Sequence, residues 1–332
     1  MFTYPRRGRK IERKEKCHMK NTQQGSLKRQ LNPMHVWAIA FGCIIGWGSF
    51  INPGKKFLPN SGVAGTAIAM VLGALVMMII AYSYAYMVPK YPQAGGEFTF
   101  TKMCFGKRAA YICGWFLVAA YLTNVPMNST AIGLIVDGLD GSADILKFGF
   151  HYTVAGFDIY FGEMLLAMAI LILFGGLNIL GVKKAGVVQT VLAVLLAVSV
   201  AALTVAALIS SKTALSNLRP LWGFSKSAAA AAYSAGTYAG IDAYAHTGAS
   251  GVAGAILATF AIAPWAFVGF DTIPQAAEEF RFSHKKVYSI MIVAIAFGCF
   301  VYTANNTIAA AALENWPELI IEASSTPWLL LA

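Results

Sequence analysis

Two interruptions rich in glycine or proline lie inside otherwise apolar stretches of this sequence. The first, residues 42–50, reads Gly-Cys-Ile-Ile-Gly-Trp-Gly-Ser-Phe. Since each glycine weakens a helix by about 1 kcal/mol, this pattern indicates either a broken helix or close packing of small residues against a neighbouring helix. A break exposes backbone N–H groups that suit a carboxylate and carbonyl groups that suit an ammonium ion. Backbone groups alone can therefore bind both ends of a zwitterion.

The second interruption, residues 263–271, reads Ala-Pro-Trp-Ala-Phe-Val-Gly-Phe-Asp and is followed by Pro274. Proline removes a backbone donor and kinks a helix. Asp271 is the acidic residue that we place deep within a predicted apolar span, where a carboxyl group is costly. Two interpretations stay open for it: a local cap or pair near a helix end, or a functional role such as binding a solute, holding a broken helix or accepting a proton.

The elements that position these residues are predicted to be membrane-spanning helices. Hydrophobic residues make up 58% of the chain and charged residues 12%, whereas about 25% is charged in a typical soluble domain. Seven apolar blocks reach the length of about 20 residues that crosses a bilayer. They lack the alternation of a transmembrane strand, so we predict an all-α integral membrane protein. The predicted spans are 35–58, 63–88, 109–136, 160–180, 186–210, 252–277 and 286–313.

The positive charge is concentrated at the amino terminus. The net charge is +10, and residues 1–30 carry ten Lys and Arg against two Glu. With this tail in the cytoplasm, 19 of the 25 Lys and Arg lie on the cytoplasmic side, as the positive-inside rule predicts. We therefore expect a multi-pass protein of the cell membrane with residues 1–31 as a disordered, cytoplasmic basic tail. Its partners would include anionic membrane lipid but not nucleic acid.

The sequence gives no sign of catalytic or metal chemistry. Its five cysteines lack metal or redox spacing, and His35 and His246 lack partners at metal-ligand spacing. The spans carry no pair of nucleophile and base and no cluster of carboxylates. We therefore predict no catalytic residue, no metal and no cofactor, and hence not an enzyme. The connection of about 41 residues after the fifth span is predicted to be an irregular outer loop.

Three motifs, in this order, resemble those of bacterial amino acid permeases in the amino acid, polyamine and organocation transporter superfamily. The first is the glycine motif of residues 42–50. The second is Pro-Gln-Ala-Gly-Gly-Glu-Phe at 92–98, followed by Gly106 and Gly114-Trp115. The third is residues 267–271 with Glu278-Glu279. The resemblance covers residues 32–325, the predicted transporter domain.

This resemblance implies a leucine-transporter-like fold of two inverted five-helix repeats. It implies a secondary active transporter of amino acids or related amines that works by alternating access, with substrate held between the broken first and sixth helices. Coupling to a proton or to sodium stays open. The glycine turn at Gly95-Gly96 would belong to the inner gate region.

The resemblance also implies roles for individual residues. Ile45, Gly46, Trp47 and Gly48 would bind the substrate carboxylate. Phe267, Val268 and Gly269 would offer carbonyls to its amine, Phe270 would be a gate or side-chain contact, and Asp271 would serve in coupling or gating. Two residues depart from the family pattern: Trp47 replaces a small hydroxyl residue, and Asp271 stands where glutamate is frequent. Trp47 would make the pocket smaller.

The resemblance further predicts a complete first repeat and an incomplete second repeat. Residues 326–332 would begin an eighth helix, and a full-length relative would have about five more helices. An alternative hypothesis is therefore a truncated, non-transporting membrane fragment, or a module that associates with another membrane chain.

Overall fold

The computed structural model describes residues 27–46, 48–140, 144–154, 157–210 and 213–322. Most of the predicted basic tail, Trp47 and the predicted start of an eighth helix at 326–332 lie outside the described residues.

The described chain is predominantly helical, with one small hairpin. The helices are α1 Pro33–Ile44, α2 Gly48–Asn52, α3 Leu58–Met87, α4 Gly96–Phe105, α5 Lys107–Asp140, α6 Phe161–Ile179, α7 Val182–Ile209, α8 Lys226–Ser234, α9 Gly248–Ala266, α10 Thr272–Gln275, α11 Val287–Ala312 and α12 Trp316–Glu322. A π-helical turn, Pro53–Phe57, joins α2 to α3. Strands β1 His151–Val154 and β2 Phe157–Tyr160 pair antiparallel, with His151 opposite Tyr160.

Six helical segments in the described part of the chain are long and apolar enough to cross a membrane. Apolar side chains such as Ile79, Phe116 and Ile172 are largely exposed, as expected for helix faces that contact lipid rather than water. The protein is therefore an all-α, multi-pass membrane protein.

Two of the predicted spans are discontinuous in the structure. The span predicted at 35–58 consists of α1, the non-helical residues 45 and 46, the short α2 and the π-helical turn. The span predicted at 252–277 consists of α9, which ends at Ala266, a turn, and the four-residue α10. Glycine at 46 and 48 and proline at 264 account for these interruptions, because neither residue type supports a continuous helical ladder.

The predicted boundary of the basic tail at residue 31 differs from the structure. The backbone N–H groups of Gln30 and Leu31 both donate to the carbonyl of Glu279 at 2.9 Å, and Leu31 is buried. The free energy gained by burying the apolar Leu31 side chain offsets the conformational entropy lost when this segment becomes ordered. Residues 30 and 31 are consequently part of the folded structure.

The long connections also contain more regular structure than predicted. The connection at 211–251 includes helix α8, and the connection after α5 contains the hairpin. Trp316 of α12 is fully buried against Phe224, with ring centroids 5.9 Å apart. Its indole N–H donates to the carbonyl of Asn217 at 2.8 Å, so this connection folds onto the bundle.

The core lies where α3 packs along α9 and α11. A cluster of three fully buried hydroxyls links α3 to α9: the Oγ of Ser61 lies 2.9 Å from Oγ1 of Thr66 and 2.8 Å from Oγ1 of Thr259. Hydroxyls buried away from water need such partners. The cluster therefore fixes how these two helices pack.

The start of α4 contacts the short α10. The N–H of Gly95 donates to the carbonyl of Gln275 at 3.3 Å, and the amide nitrogen of Gln275 donates to the Glu97 carboxyl group. Burial raises the pKa of Glu97 above its ordinary value. The loop predicted as part of the inner gate region thus contacts the segment that follows the second break.

Candidate functional site

The two helix breaks lie side by side. A β-carbon added at Gly269 would lie 2.5 Å from the Cβ of Cys43 and 3.0 Å from the backbone nitrogen of Ile44. Gly269 also has φ +129°, a conformation that residues with side chains rarely adopt. Only glycine therefore allows the backbone of the second break to contact the end of α1 this closely.

The first break is held on both sides by α11. The N–H of Ile45 donates to the carbonyl of Phe41 at 2.9 Å and ends α1. The hydroxyl of Tyr302 donates to the carbonyl of Ile44 at 3.2 Å, and the side-chain amide of Asn305 donates to the carbonyl of Ser49 at 3.2 Å. These bonds satisfy carbonyl groups that an uninterrupted helix would pair internally.

The second break leaves carbonyl groups available. The N–H groups of Phe267 and Val268 form tight turns with the carbonyls of residues 264 and 265. No residue in the described ranges donates a hydrogen bond to the carbonyls of Phe267 and Val268. Because an amide carbonyl is a strong acceptor, and Val268 is exposed whereas Phe267 is fully buried, the Val268 oxygen is the one that an ammonium group can reach.

Asp271 braces the second break. One of its carboxyl oxygens, Oδ1, accepts the N–H of Gly269 at 2.7 Å, and the other, Oδ2, accepts the hydroxyl of Tyr121 at 2.6 Å. Tyr121 lies on α5, so the carboxyl group connects the broken helix to a neighbouring span. This is the helix-holding role among those that the sequence left open for Asp271.

A cavity of about 560 Å³ lies where the breaks meet. Gly46 and Gly48 of the first break and Val268 and Gly269 of the second contribute to its wall. Polar side chains from four other segments also line it: Tyr121, Asn124, Asn128 and Ser129 from α5, Gln189 from α7, Thr272 from α10 and Tyr302 from α11. The cavity thus combines exposed backbone with neutral hydrogen-bonding groups.

The predicted site residues divide between the cavity and the core behind it. Gly46, Gly48, Val268 and Gly269 line the cavity. The side chains of Ile45, Phe267 and Phe270 are buried and do not line it. The Phe270 ring instead packs edge-on against Tyr84, with centroids 5.8 Å apart. Trp47 lies outside the described residues.

The sequence analysis missed the polar residues of α5 and α7. Tyr121, Asn124 and Asn128 are separated by three and four positions, which places them on one face of a helix. Polar residues at that spacing within an apolar span indicate a polar helix face, so the sequence could have identified them. Gln189 is less obvious: it approaches Gly42 so closely that a β-carbon there would lie 2.1 Å from its Nε2.

The electrostatic character of the cavity is neutral. Its wall contains no Lys, Arg, His, Asp or Glu side chain among the residues that the structure describes. Apolar side chains, including Val125, Ile170, Phe174 and Trp265, form much of the remaining surface. The arrangement suits a small zwitterion with an uncharged body.

Comparisons with known proteins find relatives among amino acid transporters. The sequence model of a protein family described as "Amino acid permease" matches residues 31–332. The branched-chain amino acid permease BcaP of Bacillus subtilis is 24% identical over 92% of this chain and 61% of its own length. The vacuolar cationic amino acid transporter 2 of Arabidopsis thaliana is 25% identical over 83% of this chain and 40% of its own length.

A third relative matches a shorter region. The serine/threonine exchanger SteT of Bacillus subtilis is 26% identical over 51% of this chain and 35% of its own length. The chain thus spans less than two thirds of each of these relatives. All three are transporters or permeases rather than enzymes.

Proposed function

Because this chain belongs to the amino acid permease family, we propose that it carries the substrate site of a secondary active transporter for amino acids. The observation that supports this most directly is the convergence of both helix breaks on one cavity. In the proposed binding mode, the segment of Ile45, Gly46, Trp47 and Gly48 binds the substrate carboxylate through the N–H groups that follow Ile45, since that of Ile45 is bonded to the carbonyl of Phe41. Of the three carbonyls expected to bind its amine, those of Val268 and Gly269 belong to residues that line the cavity, whereas Phe267 is fully buried beside them.

The proposed transport cycle follows from this placement. Substrate would bind near the middle of the membrane, and alternating access would expose the cavity to each side in turn. Asp271 and Phe270 would gate the cavity from behind the second break. The transporter domain would extend over residues 32–325 within two inverted repeats, in the cell membrane, with the amino terminus in the cytoplasm.

The cavity wall supports a substrate with a neutral side chain. A charged substrate side chain would be desolvated in this cavity without an opposite charge to compensate it, which is costly. The apolar part of the wall instead favours burial of an aliphatic side chain. We therefore infer a preference for neutral L-amino acids, such as valine, over lysine and glutamate.

Uptake into proteoliposomes tests this proposal. The purified natural protein is reconstituted with an imposed proton gradient or an imposed sodium gradient, and uptake of labelled valine is measured. Saturable uptake above protein-free liposomes is expected, and unlabelled valine should compete at least about tenfold better than isobutylamine, which lacks the carboxylate.

The two gradients also identify the coupling ion. If valine uptake responds to only one of the two gradients, the ion of that gradient is the coupling ion. If lysine or glutamate alone is taken up, the inferred preference for neutral substrates is wrong. If isobutylamine competes as well as valine, the proposed carboxylate contact is wrong.

A further inference from the structure

A second cavity, of about 450 Å³, lies at the end of the bundle where α3 ends and α11 begins. Its polar wall consists of Arg29, Arg281, Ser283, His284 and Lys285. It contains no carboxylate among the described residues. None of its residues lines the cavity at the helix breaks, so the two sites are separate.

The backbone holds these cationic side chains together. Leu31 and Phe280 form an isolated parallel bridge: the N–H of Leu31 donates to the carbonyl of Glu279, and the N–H of Arg281 donates to the carbonyl of Leu31, both at 2.9 Å. This pairing fixes the segment that carries Arg29 beside the loop that carries Arg281, and both residues line the cavity. The rings of Phe280 and Phe282 stack with centroids 4.8 Å apart and stiffen the same loop.

The cations in this cavity have no acidic partners in the described part of the chain. Among the described residues, the ion pair with a nitrogen–oxygen distance below 4.0 Å is that of Lys147 with Asp144, which lies outside this cavity. Arg29, Arg281 and Lys285 thus line one cavity with no carboxylate in its described wall and no ion pair within 4.0 Å. Such a cluster repels itself unless an anion binds between its members.

Exposed aromatic residues near this cavity are of the type found at membrane surfaces. Tyr82, Tyr86 and Tyr288 are exposed near the end of α3 and the start of α11, and the Tyr82 and Tyr288 rings lie 5.8 Å apart. The Lys90 ammonium lies 3.7 Å from the centre of the Tyr86 ring. Exposed tyrosine and lysine at the ends of apolar helices are typical of the membrane–water boundary.

We propose that this cavity binds the phosphodiester headgroup of an anionic phospholipid. The guanidinium groups of Arg29 and Arg281 have the planar geometry that binds phosphate oxygens in pairs. Lys285 and the Ser283 hydroxyl supply further donors, and the acyl chains would lie along the exposed faces of α3 and α11. This site does not depend on which solute the protein carries or in which direction.

Lipid retention measured by native mass spectrometry tests the proposal. The protein is purified from mixed phosphatidylglycerol and phosphatidylcholine vesicles, and the bound lipids are counted for the wild type and for the double variant Arg29→Gln/Arg281→Gln. We expect preferential retention of phosphatidylglycerol by the wild type. We expect the double variant to reduce its apparent affinity about tenfold or more.

The double variant Lys107→Gln/Arg108→Gln is the matched control. Both residues are exposed, and they begin α5 at the same end of the bundle but outside this cavity. The control removes the same amount of charge but outside the cavity, so we expect phosphatidylglycerol retention to stay close to that of the wild type. If both double variants lose phosphatidylglycerol retention equally, the effect is due to general surface charge and the proposal is wrong.

Two further measurements distinguish a lipid headgroup from free phosphate, and loss of binding from loss of folding. If inorganic phosphate binds the wild type and phosphatidylglycerol is retained no better than phosphatidylcholine, the lipid assignment is wrong. Thermal unfolding in a neutral detergent checks that each variant is folded. If the arginine variant is not, the single change Lys285→Gln decides, since its side chain is exposed: reduced phosphatidylglycerol retention supports the site and unchanged retention contradicts it.

Discussion

At Asp271, two hydrogen bonds compensate a carboxyl group that lies within the predicted span 252–277. Its two oxygens accept the N–H of Gly269 and the hydroxyl of Tyr121. The first bond stabilises the positive φ at Gly269, and the second connects the break to α5. Replacing this group changes the shape of the second break as well as a polar contact.

We predict that Asp271 and Tyr121 stabilise the fold jointly. In a double-mutant cycle of Asp271→Asn and Tyr121→Phe, the coupling free energy should be about 1 kcal/mol or more, because Tyr121→Phe removes the hydrogen bond and Asp271→Asn removes the charge that strengthens it and one of the two acceptor oxygens. The free energy of unfolding in detergent is the quantity to measure.

Tyr111→Phe combined with Asp271→Asn is the control for this cycle. Tyr111 lies on α5, the helix that carries Tyr121. It is exposed, and its ring packs against Trp115. Its coupling to Asp271 should be close to zero. A coupling near zero for Tyr121 as well would remove the proposed brace.

Among the elements, α3 and α9 are joined by the buried hydroxyls of Ser61, Thr66 and Thr259. We predict that Thr259→Val, which keeps the side-chain shape, lowers the free energy of unfolding by about 1 kcal/mol through loss of the bond to Ser61. The measurement is the unfolding transition in detergent.

Thr123→Val on α5 is the matched control for that change. The hydroxyl of Thr123 is exposed and bonds only to carbonyls of its own helix, those of residues 119 and 120. Its effect should stay within about 0.5 kcal/mol. If the two valine variants lose equal stability, the hydroxyl cluster does not hold α3 against α9.

Element prediction from the sequence was most accurate where one physical signal dominated. The long apolar runs of α6, α7 and α11 differ from their predicted spans by only a few residues, because burial in lipid demands a helix there. Helix α8 and the hairpin after α5 were missed. Their short segments depend on packing against the bundle, which local sequence does not reveal.

The candidate site was predictable only in part, for a related reason. Glycine and proline at 46, 48, 264 and 269 indicated both breaks, since backbone conformation is encoded locally. The contributions of Gln189 and Tyr302 depend on distant helices meeting. The same limitation hid the contact between Leu31 and the backbone of Glu279, so the tail was predicted to extend too far.

For the whole molecule, the proposed function depends on one spatial relation, the contact of the two breaks beside a shared cavity. Helix α11 holds the first break through Tyr302 and Asn305, and α5 holds the second through Tyr121. The surrounding bundle therefore positions backbone groups rather than charged side chains. Asn305, which does not line the cavity, can accordingly control affinity.

Equilibrium binding of labelled valine to Gly269→Ala and Gly254→Ala tests this relation most directly. Gly254 lies on α9, where an added β-carbon would meet nothing within 4 Å, whereas at Gly269 it would collide with Cys43. With both variants shown to be folded by thermal unfolding, we predict that Gly269→Ala weakens binding about tenfold or more and that Gly254→Ala binds like the wild type. Wild-type affinity in Gly269→Ala would contradict the proposal that the contact between the breaks forms the substrate site.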